Sequence, residues 1–358
     1  MNRPWTHKMA RGLIVIAAVG AALGCASRIM EYEKSKELLT NAEYDKKLKI
    51  KELEPPVPVV VEATTANVGS SGVKAESAKS KSAVRAGVVS EAVKVKKTKE
   101  GRMKPPEKHL PEIEDGEGFV GRRPIVDPFR PGEKVTLALS YFNMVAGYLD
   151  LAVLPFVEVN GERAYAFQLS AKSNSIFSRF YSVEDKATTY LNYNTLLPFN
   201  FEISVRESKQ LADIRSFFDW KKLKGNYWEK RVSKDKGERN KNIEWDIKAY
   251  SQNVISAIYY LRTFALTPGK KLAFRVADEG KNIVFSAEVL RREELSTEVG
   301  DLNTVVVKPQ ITVDGVFKPV GDILIWLTDD DRKFVVRIES KIKIGTIVGK
   351  LKAIERGQ

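Results

Sequence analysis

Cys25 is the single thiol in a chain of 358 residues, and the two histidines are His7 and His109. One cysteine leaves no partner for an intrachain disulfide and no set of thiolates for a metal cluster. Both histidines precede the segment that reads as folded. That segment therefore has no imidazole for a Ser-His-Asp triad, a Cys-His pair or a His-ligated zinc. Its remaining chemistry rests on carboxylates and aromatic rings. Asp329-Asp330-Asp331 is the densest acidic run, but Arg332 and Lys333 flank it. A calcium ion takes six to eight oxygens, so the run reads as a polar turn, and neither a metal nor a cofactor is expected. Glu184-Asp185 and Glu293-Glu294 would suit glycoside chemistry only if a pair of carboxylates faced each other across a substrate. Nothing in the sequence brings them together so, and no catalytic residue is assigned. Arg206, Lys209, Lys221, Lys222, Lys224, Lys230, Arg231 and Lys234 make 206–241 basic, with Phe217, Phe218, Trp220, Tyr227 and Trp228 interleaved.

The address is written ahead of this chemistry. Arg3, His7, Lys8 and Arg11 form a basic start, followed by the 12 uncharged apolar residues Leu13 to Gly24. A bilayer-spanning helix needs about 20. The shorter run has the length of the central region of a signal peptide, here residues 1–24. Ala22-Leu23-Gly24-Cys25 then resembles the lipobox of bacterial lipoproteins, with Ala22 standing where leucine is commoner. That resemblance implies cleavage before Cys25 and a diacylglycerol on its sulfur, so the chain's first partner is a membrane. Residue 26 is Ala rather than Asp. In the lipoprotein family this implies export to the periplasmic face of the outer membrane rather than the inner.

Residues 25–125 read as a tether. The stretch 28–54 is rich in Lys and Glu, with Glu33/Lys36, Glu43/Lys47 and Asp45/Lys49 at helical pairing distance. It reads as a solvated helix that Pro55-Pro56-Val57-Pro58 stops. From Thr64 to Lys108 there are eleven basic and four acidic residues and no aromatic one. Such a segment cannot assemble a core and lacks the stacking groups of single-stranded nucleic-acid binders. It reads as a disordered spacer, whose charge would suit anionic lipid, lipopolysaccharide or cell-wall polymer. The formal charge of the whole chain is +13, and behind an export signal that excess points to the envelope and not to nucleic acid.

From about 126 to 358 the texture changes. Val135-Leu137-Leu139-Tyr141, Tyr165-Phe167-Leu169-Ala171, Phe199-Phe201-Ile203-Val205 and Ala212-Ile214-Ser216-Phe218 all alternate with period two, the mark of strands with one buried face. Asn160-Gly161 is a hairpin signal, because a type I′ turn needs positive φ at both positions. Asp235-Lys236-Gly237, Asp278-Glu279-Gly280 and Asp314-Gly315 are further turn candidates. Strands continue near 271–277, 283–291, 302–310, 322–328, 334–342 and 345–354. The expected fold is mainly β, an antiparallel meander forming a curved sheet, an open barrel or a sandwich. One segment departs from it. Ser251 to Phe264 places Val254, Ile258 and Leu261 on one helical face, with Ser251 as N-cap and Pro268-Gly269 beyond the end. It predicts one helix packed on the sheet or plugging a barrel mouth, with Tyr259 and Tyr260 in the core or, alternatively, against a ligand.

Several motifs along this domain carry a family resemblance. They are Pro128-Phe129 with Gly132-Glu133-Lys134, Ser140-Tyr141 with Ala146-Gly147, Phe177-Ser178 with Phe180-Tyr181, and Leu196-Leu197-Pro198 with Phe201-Glu202. Ile255 to Arg262 and Gly280-Lys281 follow. Last come Ile325-Trp326-Leu327-Thr328-Asp329-Asp330, Val336-Arg337-Ile338-Glu339-Ser340 and Gly345. In this order they resemble domain of unknown function family 3108, found in exported bacterial proteins. The resemblance implies an exported, mainly β domain and brings no activity or catalytic residue. It does not extend over 26–125.

Two functions are compatible with these residues. One is a binding module whose concave β face holds an apolar or amphiphilic envelope component, with Trp220, Tyr227, Trp228, Tyr259 and Tyr260 as the ligand candidates. The other is a structural or accessory subunit of an envelope protein assembly. A filled interior argues for the second, an open apolar cavity for the first.

Overall fold

The computed structural model describes residues 28–32, 40–53, 123–313, 316–318, 322–341 and 345–358. Cys25 and the 64–108 linker lie outside them. Among the described residues the chain forms one antiparallel sheet of sixteen strands. In chain order they are β1 (Ile50–Glu52), β2 (Glu133–Tyr141), β3 (Met144–Val159), β4 (Glu162–Ser173), β5 (Glu184–Asn192), β6 (Asn200–Arg206), β7 (Gln210–Asp219) and β8 (Lys224–Ser233). They continue as β9 (Gly237–Asp246), β10 (Lys271–Asp278), β11 (Lys281–Thr297), β12 (Gly300–Val313), β13 (Val316–Lys318), β14 (Asp322–Thr328), β15 (Val335–Lys341) and β16 (Thr346–Arg356). Hairpins link most neighbours. Besides β12 with β14 and β1 with β3, the exception is the pairing of β16 with β2, Arg356 opposite Glu133, which brings the end of the chain back to the first strand of the domain.

The path through the sheet runs from β10 at one edge to β9 at the other, and no ladder joins these two edges. Side chains and a connecting segment bridge them. Lys241 Nζ of β9 reaches Glu279 Oε1 in the β10–β11 turn at 2.5 Å. Asn282 Nδ2 donates to the Asp246 carbonyl at 2.8 Å and its Oδ1 accepts from Lys248 N at 3.1 Å. The sheet is thus curled until its edges meet, and it is left open as a ladder. Of the three architectures the sequence allowed, this is the curved sheet approaching an open barrel.

The alternation predicted from sequence sets the two faces. Leu137, Phe167, Phe201, Ala212 and Phe218 point inward into one continuous core, whose members also include Phe274, Val306 and Leu351. The Asn160-Gly161 turn has positive φ at both positions, 52° and 87°, as a type I′ turn requires. β11 and β12 are longer than the sequence suggested, because a bulge between Val289 and Arg291 re-registers the pair and lets pairing continue to Gly300. Gly225 on β8 is needed for packing: a Cβ there would lie 2.7 Å from the Trp245 ring.

The interior helix is shorter than predicted. α-Helix spans Ser256–Tyr260 and a 3-10 turn follows at Leu261–Thr263. Ser251 is not its cap. Gln252 instead forms a parallel bridge to Val276, with Gln252 N donating to the Arg275 carbonyl and Ala277 N donating to the Gln252 carbonyl, both at 2.8 Å. Asn253 takes over the cap, its Oδ1 accepting from Ile255 N at 2.9 Å and Ser256 N at 2.8 Å. An extended residue already committed to a bridge cannot begin a helix, so the start moves inward.

The largest correction concerns 28–54. No solvated helix covers its described residues. A six-residue helix, Ala42–Lys47, is capped by Asn41, and β1 follows it. β1 adds to the sheet through Ile50 to Glu52 opposite Val159 to Val157. Tyr44 and Leu48 are buried against Trp228, Val157 and Val159. Ile29, Met30 and Tyr32 pack on Leu211 and Val232. The charged residues pair with the sheet rather than along a helix, Asp45 with Arg215 and Glu43 with Trp228 Nε1, and the apolar residues between them have a sheet to cover and therefore do not stay in solvent.

Candidate functional site

The segment that enters the concave side is held by charge as well as by apolar contact. Glu133 opens β2, and its side chain is 1 % exposed. Arg262, 3 % exposed at the end of the interior helix, donates to Glu133 Oε1 at 2.5 Å, and Arg332 donates to Glu133 Oε2 at 2.7 Å. Both guanidinium groups also donate to the Pro128 carbonyl. The Arg262 guanidinium lies over the rings of Phe129, Tyr259 and Phe334 at 5.4–5.9 Å, which replaces some of the hydration it loses. Beside it Tyr259 stacks on Phe167 at 4.1 Å, and its hydroxyl donates to the Ala152 and Gln168 carbonyls. Tyr260 packs edge-on against Phe264 and Phe274. Burial pushes the Tyr259 hydroxyl well above its ordinary pKa. Tyr259 and Tyr260 are each 1 % exposed, so the concave side is filled by the protein's own aromatic rings.

Side-chain amides beneath the helix bond to the sheet, although Gln252 Oε1 is buried without a partner. Asn253 Nδ2 donates to Thr189 Oγ1 at 2.9 Å and to the Asn200 carbonyl at 3.0 Å. Gln252 Nε2 donates to the Leu196 carbonyl at 3.1 Å. These bonds tie the helix to β5 and to the connection preceding β6, while the ion triad ties it to β2 and to the turn after β14.

The other three aromatic candidates do not join Tyr259 and Tyr260. β8 alternates, so Tyr227 faces the core and Trp228 faces outward. Tyr227 packs against Phe201, and its hydroxyl meets Glu229. Trp220 stacks on Phe218 at 5.9 Å, and its Nε1 donates to the Pro198 carbonyl at 2.8 Å. Trp228 lies under the docked amino-terminal segment, edge-on to Tyr44 at 6.0 Å, with Nε1 donating to Glu43 at 3.2 Å. A surface cleft of about 450 Å³ opens there, lined by Thr40 to Glu43, Trp228 to Lys230 and Asn240 to Asn242. A second, of about 530 Å³, lies between Arg123 to Asp127 and Tyr193. Much of the basic character of 206–241 is consumed locally. Arg215 pairs with Asp213 at 2.9 Å, Arg231 with Glu229 at 2.6 Å and Lys224 with Asp246 at 2.8 Å.

The acidic candidates resolve differently from their spacing. Glu184 is exposed and pairs with Lys172. Its neighbour Asp185 faces Glu207 instead, and this pairing was invisible in the sequence because it depends on the register of β5 and β6. The Tyr181 hydroxyl and Gln210 Nε2 both donate to Glu207 Oε2, and Arg206 N donates to Asp185 Oδ1 at 2.9 Å. Burial, followed by the Glu207 charge, pushes Asp185 up to about 7, and burial also raises Glu207. Burial of both carboxyl groups therefore favours their neutral, protonated forms. Glu293 accepts from Arg291 and Trp326, which lower its pKa. Asp330 Oδ1 accepts from Arg332 N and Lys333 N, and Asp329 pairs with Arg292, so the triple-aspartate run is a capped turn. Among the described residues no cluster of three or more His, Cys, Asp and Glu has the geometry to hold a metal ion.

Comparison with solved structures finds remote likenesses. One is a β-barrel-like protein of domain of unknown function family 1849 from Brucella abortus, 10% identical, covering 64% of this chain and 100% of that chain, with a TM-score of 0.42. A second is a candidate exported protein with a YmcC-like fold from Bacteroides fragilis, 10% identical over 64% of this chain and 98% of that one, TM-score 0.29. A third is a candidate lipoprotein from Parabacteroides distasonis, 9% identical over 65% of this chain and 100% of that one, TM-score 0.29. No curated protein matches the chain. The match that covers most of the curled sheet is to a family model, described as protein of unknown function, DUF3108, over residues 135–352. It spans β2 to β16 and the interior helix, and the chain belongs to this family.

Proposed function

We propose that the chain is an exported, lipid-anchored envelope protein that acts through its outer surface, as a non-catalytic accessory module. The observation that carries this reading is the filled concave side. Phe129, Phe167, Phe274, Tyr259, Tyr260 and Leu261 are each at most 2 % exposed, and a buried ion triad fixes the helix that brings three of them in. A carrier of acyl chains would need that space. The clefts described above open instead on the outside, one of them over Trp228. The basic linker 64–108 adds affinity for anionic lipopolysaccharide or cell-wall polymer, and an envelope protein is the partner expected at the outer faces.

Native mass spectrometry of the mature chain carrying Cys25→Ser, purified from the bacterial envelope without detergent, tests this reading. The expected spectrum is the bare polypeptide, and crosslinking in cells is expected to recover a protein partner. A stoichiometric phospholipid or fatty acid retained in the spectrum would contradict it in favour of a carrier.

A further inference from the structure

The docked amino-terminal segment runs the length of the sheet. It starts at the end carrying the β6–β7 and β8–β9 turns, where Met30 N donates to the Glu207 carbonyl at 3.0 Å and the Tyr32 hydroxyl reaches Glu238. It finishes at the opposite end, where β1 pairs with the last residues of β3 and Lys49 N donates to Asn160 Oδ1 of the β3–β4 turn. The chain rejoins at that same far end. Arg123 pairs with Asp127 and donates to the Tyr193 carbonyl at 2.8 Å, just past the end of β5. Both ends of the stretch 54–122 are therefore fixed to the end remote from Met30. That stretch cannot set the distance between Cys25 and the domain. The distance is set by the three residues from Cys25 to Arg28, at most about 10–11 Å when extended.

The end from which residue 28 emerges carries an unusual rim. Phe142, Met144, Ile176 and Phe180 are 61–73 % exposed. Phe142 and Asn143 have φ of 48° and 60°, a left-handed conformation that a bulky side chain rarely adopts. The rim is continuous. Asn174 bonds the backbone at Val145 and Ala146, joining the β2–β3 tip to the β4–β5 connection. Val183 bridges Glu207, and Ser208 N donates to the Ser182 carbonyl, joining that connection to the turn on which Met30 docks. Around these apolar tips stand Arg179, Lys234, Lys236 and Lys341, all exposed.

We propose that this rim is a membrane-seating surface, and that the domain sits directly on the bilayer that holds the lipid on Cys25 rather than at the end of a long spacer. The inference rests on the lipid anchor of the preceding reading. It commits to the lipid surface because a three-residue lead brings the rim within reach of any bilayer that holds Cys25. Apolar tips ringed by cations are the composition that enters the headgroup boundary of an anionic leaflet.

The lipidated full chain in vesicles of phosphatidylethanolamine and phosphatidylglycerol provides the test. With Cys25 blocked by lipid, a cysteine placed by F180C, F142C or K222C is the only free thiol, and an environment-sensitive dye can be attached to it. Dye at 142 and 180 is expected to be quenched by brominated acyl chains at a depth of about 5–10 Å, and dye at 222, on the far end, is not. Deleting residues 64–108 is expected to leave the quenching at 180 unchanged. Unquenched dye at 142 and 180, or quenching that rises on deletion of the linker, overturns the proposal. Uptake of dye by the parent chain has a different meaning, since it shows Cys25 to be unlipidated and removes the premise itself.

Discussion

Two segments pack against the same curled sheet, one within it and one outside, and they are held by different forces. The inner one, Ser251 to Phe264, is tied by a backbone bridge, a satisfied buried asparagine and an arginine whose counter-ion is the first residue of β2. The outer one, described over 28–32 and 40–53, is tied by a three-residue strand, the burial of Tyr44 and Leu48, and one buried polar contact, in which the Tyr44 hydroxyl accepts from Asn200 and donates to Glu202. The inner segment is therefore part of the cooperative core, whereas the outer one can open without the sheet opening. β8 shows how one strand serves both, with Tyr227 turned to the inner segment's side and Trp228 to the outer. Alternation thus divides the aromatics of 206–241 between two regions.

The sharpest way to break this contrast is to remove the buried carboxylate. Glu133→Leu leaves Arg262 charged and without its partner in the core, and should cost about 3–5 kcal/mol. Urea unfolding would measure it, and a loss under about 1 kcal/mol would mean that the triad does not hold the inner segment. Asn253→Ala removes the helix cap and leaves the buried Ile255 and Ser256 amides without their acceptor, while Thr189 and the Asn200 carbonyl keep their bond to each other. The expected loss is about 2–3 kcal/mol, read from the same transition.

On the outer side a comparable truncation should behave differently. Tyr44→Ala removes a ring that is 3 % exposed, which in a rigid core would cost about 3–5 kcal/mol. Here the loss is capped by the free energy of releasing the segment, so global stability should fall by about 1 kcal/mol or less. Amide exchange at Ile50–Glu52 should accelerate while β3 stays protected. A full core-sized loss would show that the outer segment is as integral as the inner.

A pH-dependent effect lies between the regions, at Asp185 and Glu207. Asp185 has its pKa raised to about 7, so the folded state holds a proton that the unfolded state has released above about pH 4. Folded stability therefore falls as pH rises from about 4 to about 7 through this group and is flat above that window. Asp185→Asn needs no such proton. Between pH 5 and pH 8 it should lose less stability than the parent, by about 2–3 kcal/mol, read by thermal or urea unfolding at both values. An equal loss in the two chains would show that Asp185 is not the group that holds the proton.

The strands were legible because alternation is local, and so was the Asn160-Gly161 turn. What that turn does in addition was not. Asn160 also binds the backbone at Lys47 and Lys49, and nothing near it in sequence announces a segment more than a hundred residues earlier. The docked segment escaped for the same reason. Tyr44 and Leu48 show no period of their own, since each fits a hollow on a sheet formed later in the chain. The interior helix was foreseen, packed on the sheet or plugging its mouth, but its start was misplaced by a bridge to Val276 that only the tertiary fold supplies. The Glu133–Arg262 pair joins residues 129 positions apart, which no local pattern links.

The contrast rests on the inner segment being core rather than lid, and native-state hydrogen exchange of the mature chain tests that most directly. If the account holds, the amides of Ala257 to Thr263 exchange only through global unfolding, with the same denaturant dependence as Phe167 and Leu169 on β4. If those amides open at a much lower free energy while β4 remains protected, the segment is a lid over a latent cavity, and the surface-acting role is wrong.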